Sequence, residues 1–158
     1  MVILYEAIYY LAQPEKFVNE ARRVLRDGGI LIICIANKDW SGFNPSPYSH
    51  KYFSASELYE LLKNGGFTDV TLYGDCQVNA DTVKDKVISV IKQTAVKFHL
   101  MPKTMKGKEF LKRIFMGKLV PLPPEITDGM AEYTPPVPIS HTTPNTQYKV
   151  VFAIGYVR

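Results

Sequence analysis

Six consecutive apolar residues, Ile30-Leu31-Ile32-Ile33-Cys34-Ile35, follow directly on Asp27-Gly28-Gly29. A strand that is apolar at every position has no face to offer water, so it belongs inside a sheet covered on both sides. The flanking patterns point to an α/β architecture with mostly parallel pairing. Residues 1–5 read as another strand. Pro14 opens a helix at the position where a missing N–H costs nothing. Glu15 faces the positive end of that helix, and Arg22, Arg23 and Arg26 sit in its expected last turn. Phe17, Ala21, Val24 and Leu25 form its apolar stripe, and Asp27-Gly28-Gly29 offers glycine for a left-handed cap.

Beyond the apolar run, residues 37–52 read as a loop rich in aromatic residues and proline. A second helix then starts at a capping box, with Ser54 as N-cap, Glu57 three residues on, and Phe53 and Leu58 spaced as a hydrophobic staple. It ends at Asn64-Gly65-Gly66, and Val70 and Leu72 alternate with Thr71 and Tyr73 in a strand. Val83, Val87, Ile91, Ala95 and Phe98 recur at helical spacing up to Pro102. Leu111, Ile114 and Phe115 suggest a shorter helix ending near Gly117. Seven of the eleven prolines fall between Pro121 and Pro144, which predicts an extended connection without regular structure. Tyr148 to Tyr156 reads as a last strand.

At 158 residues and 46% hydrophobic, the chain can bury a core and is one domain or most of one. No apolar run approaches a bilayer span, and the N-terminus lacks the basic region and cleavage site of a signal peptide. Two cysteines make no disulfide framework, so a cytoplasmic setting is expected, with Cys34 as a small core residue. Three histidines, His50, His99 and His141, are too scattered to suggest a metal site. Lys84 to Lys118 holds ten Lys or Arg against Asp85 and Glu109. That stretch reads as a solvated helical face; it lacks the aromatic interleaving of a nucleic-acid binder, and no stable membrane insertion is expected.

Taken together, Ile3-Leu4-Tyr5-Glu6-Ala7 through Leu11, Pro14-Glu15, and Ala21-Arg22-Arg23-Val24-Leu25-Arg26-Asp27-Gly28-Gly29 leading into Ile30–Ile33 resemble the second half of class I S-adenosylmethionine-dependent methyltransferases. Phe53-Ser54 through Gly66-Phe67 resembles the family's next helix and turn. The resemblance covers residues 1–73 and 147–157. It implies a Rossmann-like sheet in which Tyr148–Tyr156 runs antiparallel between the strands at Ile30–Ile35 and Asp69–Tyr73. Residues 74–146 would then be a cap inserted on the substrate side. The family's glycine-rich strand-turn-helix is not matched, since Gly28-Gly29 and Gly65-Gly66 each lead into a strand. The resemblance therefore implies a C-terminal half, with S-adenosylmethionine as cofactor once a missing N-terminal half or a second copy completes the site.

By the same resemblance, Leu4, Tyr5 and Glu6 lie beside the methionine part of the cofactor, and Tyr9 and Tyr10 face the acceptor. Glu6 either orients a cofactor amine or accepts a proton from the acceptor, with Tyr10 beside it as a second catalytic candidate. The plain alternatives are a solvated carboxylate for Glu6 and core packing for the tyrosines. Asn37, Trp40, Phe43, Tyr48 and His50 fall where relatives build substrate contacts, and such aromatic clusters suit a small-molecule acceptor. Trp40 and Phe43 would otherwise simply pin the loop. A reading from another class is a non-catalytic module that self-associates through the unpaired edge of the Val2–Leu4 strand.

Overall fold

The computed structural model describes residues 1–78, 107, 123–125, 127–130 and 133–158. In chain order these form β1 (Val2–Tyr5), a single 3-10 turn over Ile8–Tyr10, α1 (Pro14–Val24), β2 (Ile30–Ala36), α2 (Ala55–Asn64), β3 (Asp69–Gln77), β4 (Val137–Pro138) and β5 (Tyr148–Tyr156). The five strands make one sheet in the order β1-β2-β5-β3-β4. β5 thus lies between β2 and β3, as the resemblance implies, with Ile33 opposite Ala153 and Ala153 opposite Leu72. The expectation of mostly parallel pairing needs correction. Only β1 and β2 pair in parallel; β2–β5, β3–β5 and β3–β4 are antiparallel. β1, β2 and β3 do share a direction, but inserting β5 against that direction makes both of its ladders antiparallel.

Two further differences concern length. β3 runs through Gln77, beyond the expected end at Tyr73, and Val78 still donates its N–H to the Gln147 carbonyl. The sheet therefore takes in residues assigned by sequence to the insertion. The proline-rich return also contributes a short strand. Val137–Pro138 pairs with Tyr73 and Gly74, and Ile139 donates to the Leu72 carbonyl. The expected helices around Val83–Phe98 and Leu111–Phe115, the basic stretch Lys84–Lys118 apart from Gly107, and His99 lie outside the described residues.

α1 begins at Pro14 but ends earlier than its sequence suggests. Leu25 is already extended, and Arg26 lies outside the helix. Gly28 adopts φ +73° within a tight turn, where Gly29 donates back to the Arg26 carbonyl. Val18 is the fully buried residue of the helix and Val24 is half exposed, so the apolar stripe is rotated toward Val18. α2 starts as expected. The Ser54 hydroxyl accepts from the Glu57 N–H at 3.2 Å and the Glu57 carboxylate accepts from the Ser54 N–H at 2.8 Å. Burial opposes ionisation of that carboxyl, but the Lys38 ammonium 2.6 Å away and the Ser54 N–H hold it below its usual range.

Both helices pack on one face of the sheet. Val18 and Ala21 of α1 and Leu58, Leu61 and Leu62 of α2 join Leu31, Ile33, Ile35, Leu72, Val151 and Ala153 in one core. A fully buried leucine such as Leu62 gains about 1.5–3 kcal/mol over exposure. Phe53 and Phe67 belong to the same core. The alternate residues, including Ile3 and Tyr5, point to the other face, and both of these are more than half exposed.

Candidate active site

The carboxyl ends of neighbouring parallel strands are where open α/β sheets bind ligands. In this chain Glu6 occupies that position directly after β1. Its backbone is left-handed, with φ +50°, a conformation that costs a non-glycine residue about 1 kcal/mol or more. The conformation is held from three sides. The Glu6 N–H donates to the Cys34 carbonyl at 2.9 Å. The Tyr9 hydroxyl donates to Glu6 Oε2 at 2.7 Å, and the Cys34 thiol lies 3.9 Å from Oε1. Among the described residues no cation pairs with this half-buried carboxylate.

The neighbours of Glu6 are held in their protonated forms. Burial first, and then the adjacent Glu6 carboxylate, pushes the Tyr9 phenol well above its ordinary range. Burial likewise pushes the Cys34 thiol up to about 11. The Tyr5 hydroxyl is raised chiefly by Cys34. Cys34 is therefore a neutral thiol near pH 8 and is fully buried, whereas Cys76 is exposed. A maleimide at pH 8 is expected to modify Cys76 alone in the native protein and both thiols after denaturation, because only a reachable thiolate reacts. Mass spectrometry counts the adducts; rapid native labelling of Cys34 would contradict this.

An aromatic file leads away from Glu6. Tyr10 meets the edge of Tyr9 at 4.6 Å, Tyr9 stacks on Tyr52 at 4.7 Å, and Phe43 meets Tyr52 edge-on at 4.7 Å. The chain between β2 and α2 is fastened to this file. The His50 N–H donates to the Tyr9 carbonyl at 2.8 Å, the Lys51 N–H reaches it at 3.4 Å, and the Ser49 hydroxyl bonds that of Tyr52 at 3.1 Å. Tyr10 is half exposed at the open end. The structure thus brings together Glu6, Tyr9, Tyr10 and Phe43 of the residues singled out in sequence, and adds Tyr52 and Cys34. Tyr52 has a faint sequence signal: of the Tyr52-Phe53 pair ahead of the Ser54 cap, one ring enters the core and the other turns to the loop.

The remaining candidates sit elsewhere. Leu4 is part-buried against the core, and Tyr5 lies on the opposite face, its ring 6.4 Å from Phe152. Asn37 is fully buried and spends its side chain on the backbone. Its amide nitrogen donates to the Asn145 carbonyl at 2.5 Å and the Tyr148 carbonyl at 2.8 Å, and its oxygen accepts from the Asp39 N–H at 3.0 Å. Trp40 covers Gly42 and lies under the Lys149 ammonium, 5.7 Å from the ring centre, so it secures the loop. Tyr48 extends into solvent, and His50 enters the site through its backbone only. No group of three His, Cys, Asp or Glu side chains suited to a metal ion occurs among the described residues.

Comparison with known proteins gives this geometry a context. A family model described as "Methyltransferase domain" matches residues 1–33, which carry β1, Glu6, Tyr9, Tyr10 and α1. Two proteins from Mycobacterium tuberculosis strains, each named a "Probable S-adenosylmethionine-dependent methyltransferase", are 32% identical to this chain over 80 residues. That match covers 47% of the chain and 28% of each relative. A similarly named protein from Mycolicibacterium smegmatis is 33% identical over 73 residues, covering 42% of the chain and 28% of the relative. The chain thus matches little more than a quarter of the length of these relatives.

Proposed function

We infer, from the kinship with class I S-adenosylmethionine-dependent methyltransferases that these matches support, that this chain contributes the acceptor-side part of a methyltransferase site. On this reading residues 1–73 and 147–158, joined in the sheet by residues 74–77 and by Val137–Pro138, belong to the C-terminal half of the α/β domain, and the stretch between the added strand pieces is an insertion on the substrate side. The family match and the relatives' names imply S-adenosylmethionine as the cofactor. One observation carries the reading: the Glu6 carboxylate stands at the carboxyl end of β1, without a cationic partner among the described residues, beside a file of aromatic rings.

The residues present suit one end of the cofactor. The part-buried Glu6 carboxylate, without a cationic partner among the described residues, matches the charge of a methionine ammonium, whereas Leu4 packs into the core and Tyr5 turns to the opposite face. For the rest of the cofactor the fit is poorer. None of the ten glycines falls in a G-x-G spacing, and Gly28-Gly29 and Gly65-Gly66 each lead into a strand rather than a helix N-terminus.

When bound, the cofactor supplies a methyl group on a positively charged sulfur. Glu6 would orient the cofactor amine or take the proton that the acceptor releases. Tyr10 would lie at the acceptor, as the second catalytic candidate, and Tyr9 and Phe43 would form the apolar wall that excludes water. The acceptor on this reading is a small molecule. Such transfer depends mainly on alignment of the two reactants. Titrating S-adenosylmethionine into the 158-residue polypeptide tests the reading. Binding is expected only on the order of millimolar, about −4 kcal/mol. Low-micromolar binding by a monomer would contradict a partial cradle.

A second reading, a self-associating module, is favoured by the contrast between the two sheet edges. β4 is blunted by Pro138 beside Pro135 and Pro136, whereas β1 carries no proline or charge and exposes Met1, Ile3 and Tyr5. Native sheets usually protect such edges. Light scattering across a concentration series is expected to report a dimer or larger species, and Ile3→Lys is expected to weaken it by placing a charge in the seam. A monomer at every concentration would remove this reading. No described helix is long and apolar enough to cross a membrane; we place the action of the chain in the cytoplasm, without nucleic acid as partner.

A further inference from the structure

We propose that Tyr9 is the positioning residue of this site: its hydroxyl aims the Glu6 carboxylate, while its carbonyl and ring fasten the acceptor-side loop. The proposal rests on the methyltransferase reading for the names of the two walls; the coupling between them rests on geometry alone. The sequence signal at this position is ambiguous, since one of two adjacent tyrosines must face the core. Tyr9 is the buried one, 8% exposed, and Tyr10 the open one, at 52%.

Three separate groups of Tyr9 are engaged. The hydroxyl reaches Glu6 Oε2 at 2.7 Å. The ring stacks on Tyr52 at 4.7 Å with an interplanar angle of 26°. The carbonyl accepts from the N–H groups of His50 and Lys51. A phenol donating to a carboxylate is among the stronger hydrogen bonds, because its acceptor is charged. Among the described residues, the side chains in contact with the Glu6 carboxylate are Tyr9 from the 3-10 turn and Cys34 from β2. Of these only Tyr9 makes a short contact with the carboxylate, since the Cys34 sulfur stands 3.9 Å away. Glu6 is also left-handed, a conformation that local sequence does not favour. The Tyr9 hydroxyl, bonded to Oε2, gives that carboxylate its direction. Because the same residue holds the loop, displacement of either wall is transmitted to the other.

The test separates the hydroxyl from the ring. Protein labelled with carbon-13 at the glutamate carboxyl carbon gives a Glu6 resonance, assigned by its loss in Glu6→Gln. Tyr9→Phe keeps the ring and the carbonyl. It is expected to displace the Glu6 resonance while hydrogen exchange of the His50 and Lys51 amides stays within about twofold of the parent. Tyr52→Leu removes the stack and also the hydroxyl that bonds Ser46 and Ser49, so Tyr52→Phe, which keeps the ring, is its control. The leucine variant is expected to speed exchange at those two amides about tenfold relative to Tyr52→Phe. An unmoved Glu6 resonance in Tyr9→Phe, or unchanged exchange in Tyr52→Leu, would overturn the proposal. Neither readout involves the cofactor, so the result is decided separately from the methyltransferase reading.

Discussion

An alanine at Phe67 is expected to lower the unfolding free energy by about 3–5 kcal/mol, the range for deleting a buried phenylalanine ring. Phe67 is 1% exposed and closes the turn from α2 into β3. Its ring lies directly on Gly155 of β5, where a Cβ would sit only 2.7 Å from the ring. The glycine therefore has no side chain to expand into the space left behind, and the cavity persists. A denaturant titration of Phe67→Ala measures the loss. A change below about 1 kcal/mol would mean that the turn collapses onto the sheet and that the packing is not as described. Filling the gap from the other side is not expected to help: Gly155→Ala in the parent meets the ring and should destabilise as well.

Asn37→Ala is expected to cost about 2–3 kcal/mol, although it removes no apolar contact of note. The buried amide serves the Asn145 and Tyr148 carbonyls and the Asp39 N–H. Removing one partner leaves buried polar groups unmatched, at about 1–3 kcal/mol each where water cannot reach. Asn37→Asp discriminates further. It keeps the acceptor for Asp39 but sets a carboxylate against two carbonyl oxygens, so it is expected to cost at least as much as alanine. Equal stability of the parent and the Asn37→Asp variant, measured by the same denaturant titration, would show that water replaces the clamp.

Those two residues also illustrate how far the sequence carries. The Ser54–Glu57 box is legible because every group in it lies within three residues, and the structure contains both of its hydrogen bonds. The central strand is legible because it is apolar at every position, although among the described residues the helices cover only one of its faces and Ile30 and Ile32 on the other stay part-exposed. Where α1 stops is not, since its end is fixed by distant partners: the Gly28 N–H donates to the Val157 carbonyl and the Val157 N–H to the Gly29 carbonyl. The role of Asn37 is hidden for the same reason, its partners being 108 and 111 residues away. β4 owes its existence to pairing with Tyr73 and Gly74, not to the strand-poor segment around Pro135 and Pro136. At the site, Glu6 and the tyrosine pair are visible from the sequence. The left-handed turn at Glu6 and the stacking of Tyr52 on Tyr9 arise from tertiary contacts that no local pattern announces.

Whether the carboxyl end of β1 forms the cofactor-facing and acceptor-facing corner of a methyltransferase site is tested most directly by titrating S-adenosylmethionine into the nitrogen-15-labelled 158-residue polypeptide, followed amide by amide. Saturable shifts concentrated between Leu4 and Tyr10, on the order of millimolar affinity and diminished in Glu6→Gln, are the predicted result. Shifts that avoid this segment, or none at concentrations near solubility, would contradict it.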